Sequence, residues 1–313
     1  MRPYGAAFDR FWSDFDRTYS YFDYKKIDWN LGRDQLRERA AASQNDSAFI
    51  DVLIEAVQPL RDAHVQFRRP DGSSKLSYVP PREVNYNANI WLTYLPNLSW
   101  KAVNTSWGWG RTGDVGYIFI SAWSSAVRTT DLDAALEQLR DTRALIIDVR
   151  ANSGGNDQLA LNFGSRFAAT SVRVGAVRFK NGTRHTDFDQ WIQRYMDPRG
   201  SWQYVKPVYL LIGSACFSSN ETFIAGMSEL PHVTLVGDVT GGSSGNPVEF
   251  DIVVGGRTTG WKYSVPRWNE TLADGTMIEW NGIKPDVSVP FDKASVAAGR
   301  DPVLDWALSA SIK

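Results

Sequence analysis

Apolar residues near the N-terminus recur with helical spacing. Phe8, Phe11, Trp12, Phe15 and Tyr19 fall at i, i+3, i+4, i+7 and i+11, one face of an amphipathic helix. Phe49, Val52, Leu53, Ala56 and Leu60 repeat the pattern, with Asp46 or Ser47 placed to cap it and Pro59 expected to distort its end. Between them Asp28 heads a weaker stretch through Leu31, Leu36 and Ala40. These three short helices predict a small antiparallel bundle over residues 1–69. From Pro70 to Gly113 the periodicity dissolves around Asp71-Gly72 and Pro80-Pro81, which are turn pairs. Residues 70–112 therefore read as an irregular connection with short strands. Its aromatics, among them Tyr86, Trp91, Trp100 and Trp107, either pack or line a cleft for an extended or ring-bearing ligand.

After Gly113 strands alternate with helices. Residues 115–120, 144–149, 207–212 and 233–237 are short apolar runs, and 144–149 is apolar enough to be buried on both faces. Helical segments at Leu132 to Leu139 and Leu159 to Phe167 separate them. That succession predicts βαβ units in a mostly parallel sheet with covering helices. Residues 250–254, 259–264 and 276–280 predict further strands, and the whole of 70–313 reads as one α/β core.

Composition narrows the function classes. The 313 residues are 43% hydrophobic and 22% charged, with a formal net charge of -1, so there is no electrostatic case for nucleic acid or an anionic membrane. No apolar run approaches the ~18 residues of a membrane span, and MRPYGAAFDRFW lacks the pattern of a secretion signal. One cysteine, Cys216, and three histidines, His64, His185 and His232, leave no metal-ligand spacing and no internal disulfide. No metal or organic cofactor is expected. Six N-x-S/T sequons occur, but one, Asn220, falls inside a predicted helix, and they read as chance.

Chemistry concentrates in two strand-to-helix turns. In LIGSACFSSNE, Ser218 stands where a strand gives way to a helix whose first N–H groups are unpaired, a setting for a nucleophile beside an oxyanion site. The same residues, Ser218 to Glu221, fit an S-x-x-E capping box, in which Ser218 would merely cap the helix. Cys216 is a rival nucleophile or a buried apolar residue. In DVRANSGGN a buried strand ends in Gly154-Gly155, which lets backbone approach a ligand and point N–H groups at an anion. Arg150 there could hold a substrate carboxylate or sit in a salt bridge.

These motifs, followed in order by VTLVGDVTGG and IEWNGIKPDVSVP, resemble the tail-specific (C-terminal processing) serine peptidases. LRDAHVQF resembles the Asp-x-His segment of that family's branch related to the tricorn core protease. The resemblance covers nearly the whole chain. It implies a crotonase- and Clp-protease-like α/β core preceded by the helical bundle, and an extracytoplasmic setting. It implies Ser218 as nucleophile, His64 as its base and Glu279 as the carboxylate orienting the imidazole. An oxyanion hole would come from the N–H groups of Ser219 and Gly154 or Gly155.

Two departures stand out. Bacterial family members carry a lysine base twenty-five residues after the nucleophile, and Ser243 occupies that place here, so the Ser–Lys dyad is absent unless Lys262 reaches in from another segment. The tricorn-like branch has a serine before its histidine, where this chain has Ala63. Residues 70–112 are also too few for the PDZ domain of about a hundred residues that many members insert there. The implied function is a serine peptidase acting on peptide or protein substrates. A hydrolase of a non-peptide ester or amide, or a non-catalytic protein holding a hydrophobic ligand on the same fold, are the alternatives.

Overall fold

The structure, a computed structural model, describes residues 3–312. The chain forms two compact units. The first comprises the residues up to Pro81 together with Val177–Ile192 and Ser243–Glu270; the second comprises Arg82–Ala176, Gln193–Gly242 and the chain from Thr271.

In the first unit, helix Pro3–Thr18 buries the aromatic face read from the sequence: Phe8, Phe11, Trp12 and Phe15 are all at most 5% exposed. The rings meet Phe67 and Tyr263, which lie opposite each other in a four-stranded antiparallel sheet. That sheet orders its strands Val248–Val254, Arg257–Val265, Gln66–Arg68 and Ser74–Leu76. Helix Asp46–Val57 is capped by Asn45, not by Asp46 or Ser47: the Asn45 side chain accepts from Ala48 N at 2.9 Å. Pro59 does end it, in a 3-10 turn over Gln58–Leu60. Asp28 caps no helix. It closes a turn onto Asn30 N, Leu31 is 79% exposed, and the helix starts later, as Arg33–Ala41 behind Gly32 in the left-handed region.

The second unit is built on seven strands. Val287–Ser288, Val233–Gly237, Val208–Ile212, Ala144–Asp148 and Val115–Ile120 run parallel, and Trp107–Thr112 and Lys101–Ala102 add an antiparallel edge. This is the mostly parallel α/β sheet that the alternation predicted. Its strands are apolar on both faces because both are covered. Ile118, Leu145, Ile147 and Leu210 pack with Phe163 of helix Asp157–Gly164 and Phe223 of helix Ser219–Ser228. Tyr117, Phe119, Ile146 and Leu211 pack with Val303, Leu304 and Ala307 of helix Pro302–Ser311.

Two expectations fail locally. Residues 276–280 form a turn closed by a single Thr271–Met277 bridge, because Trp280 and Gly282 take positive φ and break an extended run. The aromatic connection is more regular than its turn residues suggest: Asn87 caps a helix, Ala88–Tyr94, through Asn89 N and Ile90 N. No helix among the described residues is long and apolar enough to cross a membrane.

Candidate active site

In the second unit, Ser218 follows strand Val208–Ile212 and directly precedes helix Ser219–Ser228. Its backbone lies at φ 56°, ψ -131°, and its side chain makes no capping hydrogen bond. A non-glycine residue in that region carries strain of order 1–3 kcal/mol, which persists only where the surroundings enforce it. The capping box is thus not formed. Its intended partner, Glu221, is fully buried and accepts instead from Thr240 Oγ1 at 2.5 Å and Gly242 N at 2.9 Å, latching the 240–242 loop onto the helix start. Ser218 is left half-buried with its hydroxyl uncommitted to the helix.

The glycine turn reaches the same place. A Cβ on Gly154 would sit 2.8 Å from Ser218 Cβ and 3.2 Å from Ser219 N, and φ is 108° there, so only glycine fits. Trp123 N donates to Gly154 O at 2.9 Å and Asn156 N to Trp123 O at 2.7 Å, which clamps the turn. Ser219 Oγ donates to Gly155 O at 2.7 Å, tying the two turns together. The Gly154 N–H is already spent on Asn152 Oδ1 at 2.9 Å. Among the described residues, the N–H groups of Gly155 and Ser219 meet no protein acceptor.

The neighbouring alternatives resolve. Cys216 is fully buried, burial holds its thiol far above the ordinary range, and Sγ donates to Val149 O at 3.2 Å, so it is structural. Asn220 is fully buried too, with its amide spent on Val149 O, Asn152 O and Trp123 Nε1, so its sequon cannot accept a glycan. Arg150 grips Asp148 and Asp301 through five hydrogen bonds counting Asn85 O, with no exposed surface, so it is a structural ion pair and cannot meet a substrate carboxylate. Glu279 is 1% exposed in the turn after Ile278, and the next residue, Trp280, donates its N–H to Gly242 O at 2.9 Å.

In the first unit, the Asp-x-His segment is a turn that fixes the histidine backbone. Asp62 Oδ1 accepts from His64 N at 2.9 Å, the two-residue closure an aspartate favours. Asp62 Oδ2 accepts from Tyr19 OH at 2.8 Å and pairs with Lys25 Nζ at 3.3 Å, every partner buried. Ser264 Oγ donates to His64 O at 2.5 Å, so main-chain freedom is removed on both sides. The imidazole is half-buried, and its Nδ1 lies 2.7 Å from Ser243 Oγ. In the sequence Ser243 is marked only by its spacing from Ser218, and that spacing carries no sign of a contact with the histidine.

The other titratable candidates lie elsewhere. Lys262 pairs with Asp251 at 3.4 Å across two strands, with 43% of its side chain exposed. His185 contacts Asp16 through Nε2 at 2.8 Å, and its ring lies tilted against Phe22 at 4.4 Å. Burial pushes His232 below the ordinary histidine range, at the start of strand Val233–Gly237.

Comparison with known proteins fits these motifs. Residues 114–289 match the model of peptidase family S41, and residues 4–58 match that of the Tricorn protease C1 domain. The carboxy-terminal processing protease CtpA of Bacillus subtilis is 28% identical over 189 residues, 59% of this chain and 37% of that one. Tricorn protease homolog 1 of Streptomyces coelicolor is 29% identical over 207 residues, 64% of this chain and 17% of that one. The chain thus spans well under two thirds of either curated relative. A putative peptidase from Parabacteroides merdae superposes with a TM-score of 0.86 at 25% identity, covering 98% of this chain and 96% of that one.

Proposed function

Because the chain belongs to peptidase family S41, we propose that it is a serine-type peptidase in which Ser218 attacks the scissile carbonyl and His64 is the general base. The observation that carries this reading is the strained, uncapped Ser218 beside a glycine turn with two unspent N–H groups. In the acylation step His64 takes the Ser218 hydroxyl proton as Oγ bonds to the carbonyl carbon. It then returns that proton to the leaving amine, and water completes the second half by the same route. The oxyanion would be held by the N–H groups of Gly155 and Ser219. The alternative donor Gly154 is occupied by Asn152.

Ser243 supports the assignment of His64. With Nδ1–H donating to Ser243 Oγ, the basic lone pair is on Nε2, the nitrogen that must face the nucleophile. In this reading Glu279 supplies the negative charge that steadies the imidazolium. The setting is extracytoplasmic, as the family resemblance implies. A fluorophosphonate probe followed by peptide mapping tests the proposal directly. Label is expected on Ser218, and label elsewhere, or none, would sink it.

Two further results are expected. Ser243→Ala removes one hydrogen bond from the base, about 0.5–3 kcal/mol, so kcat should fall roughly 2- to 160-fold with the pH–rate inflection moved to lower pH. The sign follows because an accepting hydroxyl favours the protonated ring. An unshifted inflection would make Ser243 a packing residue. Wild-type kcat/KM should rise through the histidine region, near pH ~6.5, and reach its plateau by mildly alkaline pH. Lys262→Ala should leave that profile unchanged. A silent Lys262→Ala beside an active His64→Ala would mean a displaced Ser–Lys dyad.

A further inference from the structure

Within the second unit, the aromatic segment and the sheet edge enclose an open cavity of about 380 Å³. Its walls are Tyr86, Trp91, Trp100, Trp107 and Phe119, with Leu92 among its other lining residues. The walls are held rigidly. Trp91 and Trp100 meet edge to face at 5.4 Å, Tyr86 stacks on Phe119 at 5.7 Å, and Trp91 Nε1 donates to Tyr117 OH at 2.8 Å. Aromatic walls fixed this way give a preformed apolar site.

The polar atoms around it are mostly spent inward. Asn104 Nδ2 donates to Ala126 O, Asn104 Oδ1 accepts from Ser106 N, and Ser121 Oγ donates to Ser106 O. No ionisable side chain other than Tyr86 lines the cavity, and burial raises the Tyr86 pKa so that its hydroxyl stays neutral. A charged group entering would lose its hydration with no counter-charge. The volume suits an aromatic group with its adjoining chain, since a dry cavity of roughly 150 Å³ already takes a benzene ring.

Two of its lining residues stand close along the chain to the turn beside the nucleophile. Ala151 lines it and is three residues before Gly154, which touches Ser218; Ser121 lines it and is two residues before Trp123, which clamps that glycine. Three residues of chain span at most about 11 Å, which is about three steps of an extended peptide.

We propose that this cavity is a substrate subsite that takes one bulky aromatic side chain, within about three residues of the scissile bond. The proposal rests on the serine-peptidase reading above. It gives the aromatic connection a function: substrate choice by one side chain next to the bond cut.

The test uses the full chain and a set of internally quenched peptides carrying Phe, Trp, Ala, Asp or Lys at successive positions. One position should prefer Phe or Trp over Asp by about 30-fold or more in kcat/KM. Ala102 lines the cavity from the edge strand, so Ala102→Phe narrows it. That variant should lose about tenfold on the Phe peptide while keeping its rate on the Ala peptide and its rate of fluorophosphonate labelling. Leu92, 52% exposed, provides a second variant with little at stake for folding. Leu92→Arg should lower the Phe-to-Asp ratio about tenfold. A wild-type chain with no aromatic preference, or a preference untouched by both variants, overturns the proposal.

Binding separates this failure from failure of the peptidase reading. In Ser218→Ala, tryptophan fluorescence should report saturable binding of the Phe peptide and not the Asp peptide, through the tryptophans that form the walls. If no peptide is cleaved by the wild-type chain but this binding occurs and Ala102→Phe removes it, the aromatic site stands and the peptidase assignment falls. If oleate saturates the site and the Phe peptide does not, its occupant is a free apolar ligand and the proposal is overturned.

Discussion

Ser218→Ala should lower peptide turnover by about 10⁴- to 10⁶-fold while leaving the fold's stability unchanged within about 0.5 kcal/mol. The two halves of that result discriminate. A helix cap lost to alanine costs about 0.5–2 kcal/mol. Here the serine makes no capping hydrogen bond, so there is none to lose. With φ at 56°, Ser218→Gly should even gain stability, because glycine occupies that region without Cβ strain. A residue whose removal destroys activity and relieves strain is one held in place for its chemistry. His64→Ala should be about as damaging as Ser218→Ala, and the double variant little worse, since the members of one proton-transfer unit are not additive. Urea unfolding of the three Ser218 forms, with single-turnover assays, checks this. A stability loss of 1–2 kcal/mol with turnover retained would return Ser218 to the role of a cap.

The parts of this outcome that were legible in the sequence are those that a local pattern dictates. Alternating apolar strands and helices announce a parallel sheet because both faces must be covered, and the strand at Ala144–Asp148 has no exposed residue. The glycine pair was legible because the positions require positive φ and close approach. The local boundaries were less so. Asp46 and Asn45 are both residues that cap well, but Asn45 takes the extended conformation while the Asp46 carboxylate accepts from Tyr4 OH and Arg257, partners distant in sequence. Residues 276–280 carry enough apolar side chains to read as a strand, yet a left-handed Trp280 turns the chain back, which no side-chain pattern encodes. Ser243 was hidden for a different reason. Its hydroxyl meets His64 across 179 positions, and a serine in a glycine-rich loop reads as a turn residue until the fold places it.

The largest loss of stability should come from a residue that touches no substrate. Arg150 has no exposed side-chain surface, and burial alone would pull its pKa down, but Asp148 and Asp301 more than offset that and keep it charged. Its guanidinium is bidentate to each carboxylate, at 2.7 to 2.9 Å. Asp301 in turn caps helix Pro302–Ser311 through Leu304 N, and Asp148 accepts from Tyr117 OH. Removing the arginine therefore strands two buried carboxylates and loosens one helix start. Breaking a buried pair in this way costs about 3–5 kcal/mol, a large share of a typical stability of about 5–15 kcal/mol. Arg150→Met should lower Tm by roughly 10 °C, with the unfolding slope in urea unchanged. The cost lies in the stranded charges rather than in the lost pair itself, so Arg150→Met combined with Asp148→Asn and Asp301→Asn should recover a substantial part of it. Because strand Ala144–Asp148 leads directly into the turn that carries Gly154, the single variant should also lose turnover in proportion to its unfolded fraction, and regain it on cooling. A single variant within 1 kcal/mol of wild type would show that the site relaxes around the missing cation, and that the ion pair does not hold the glycine turn in place.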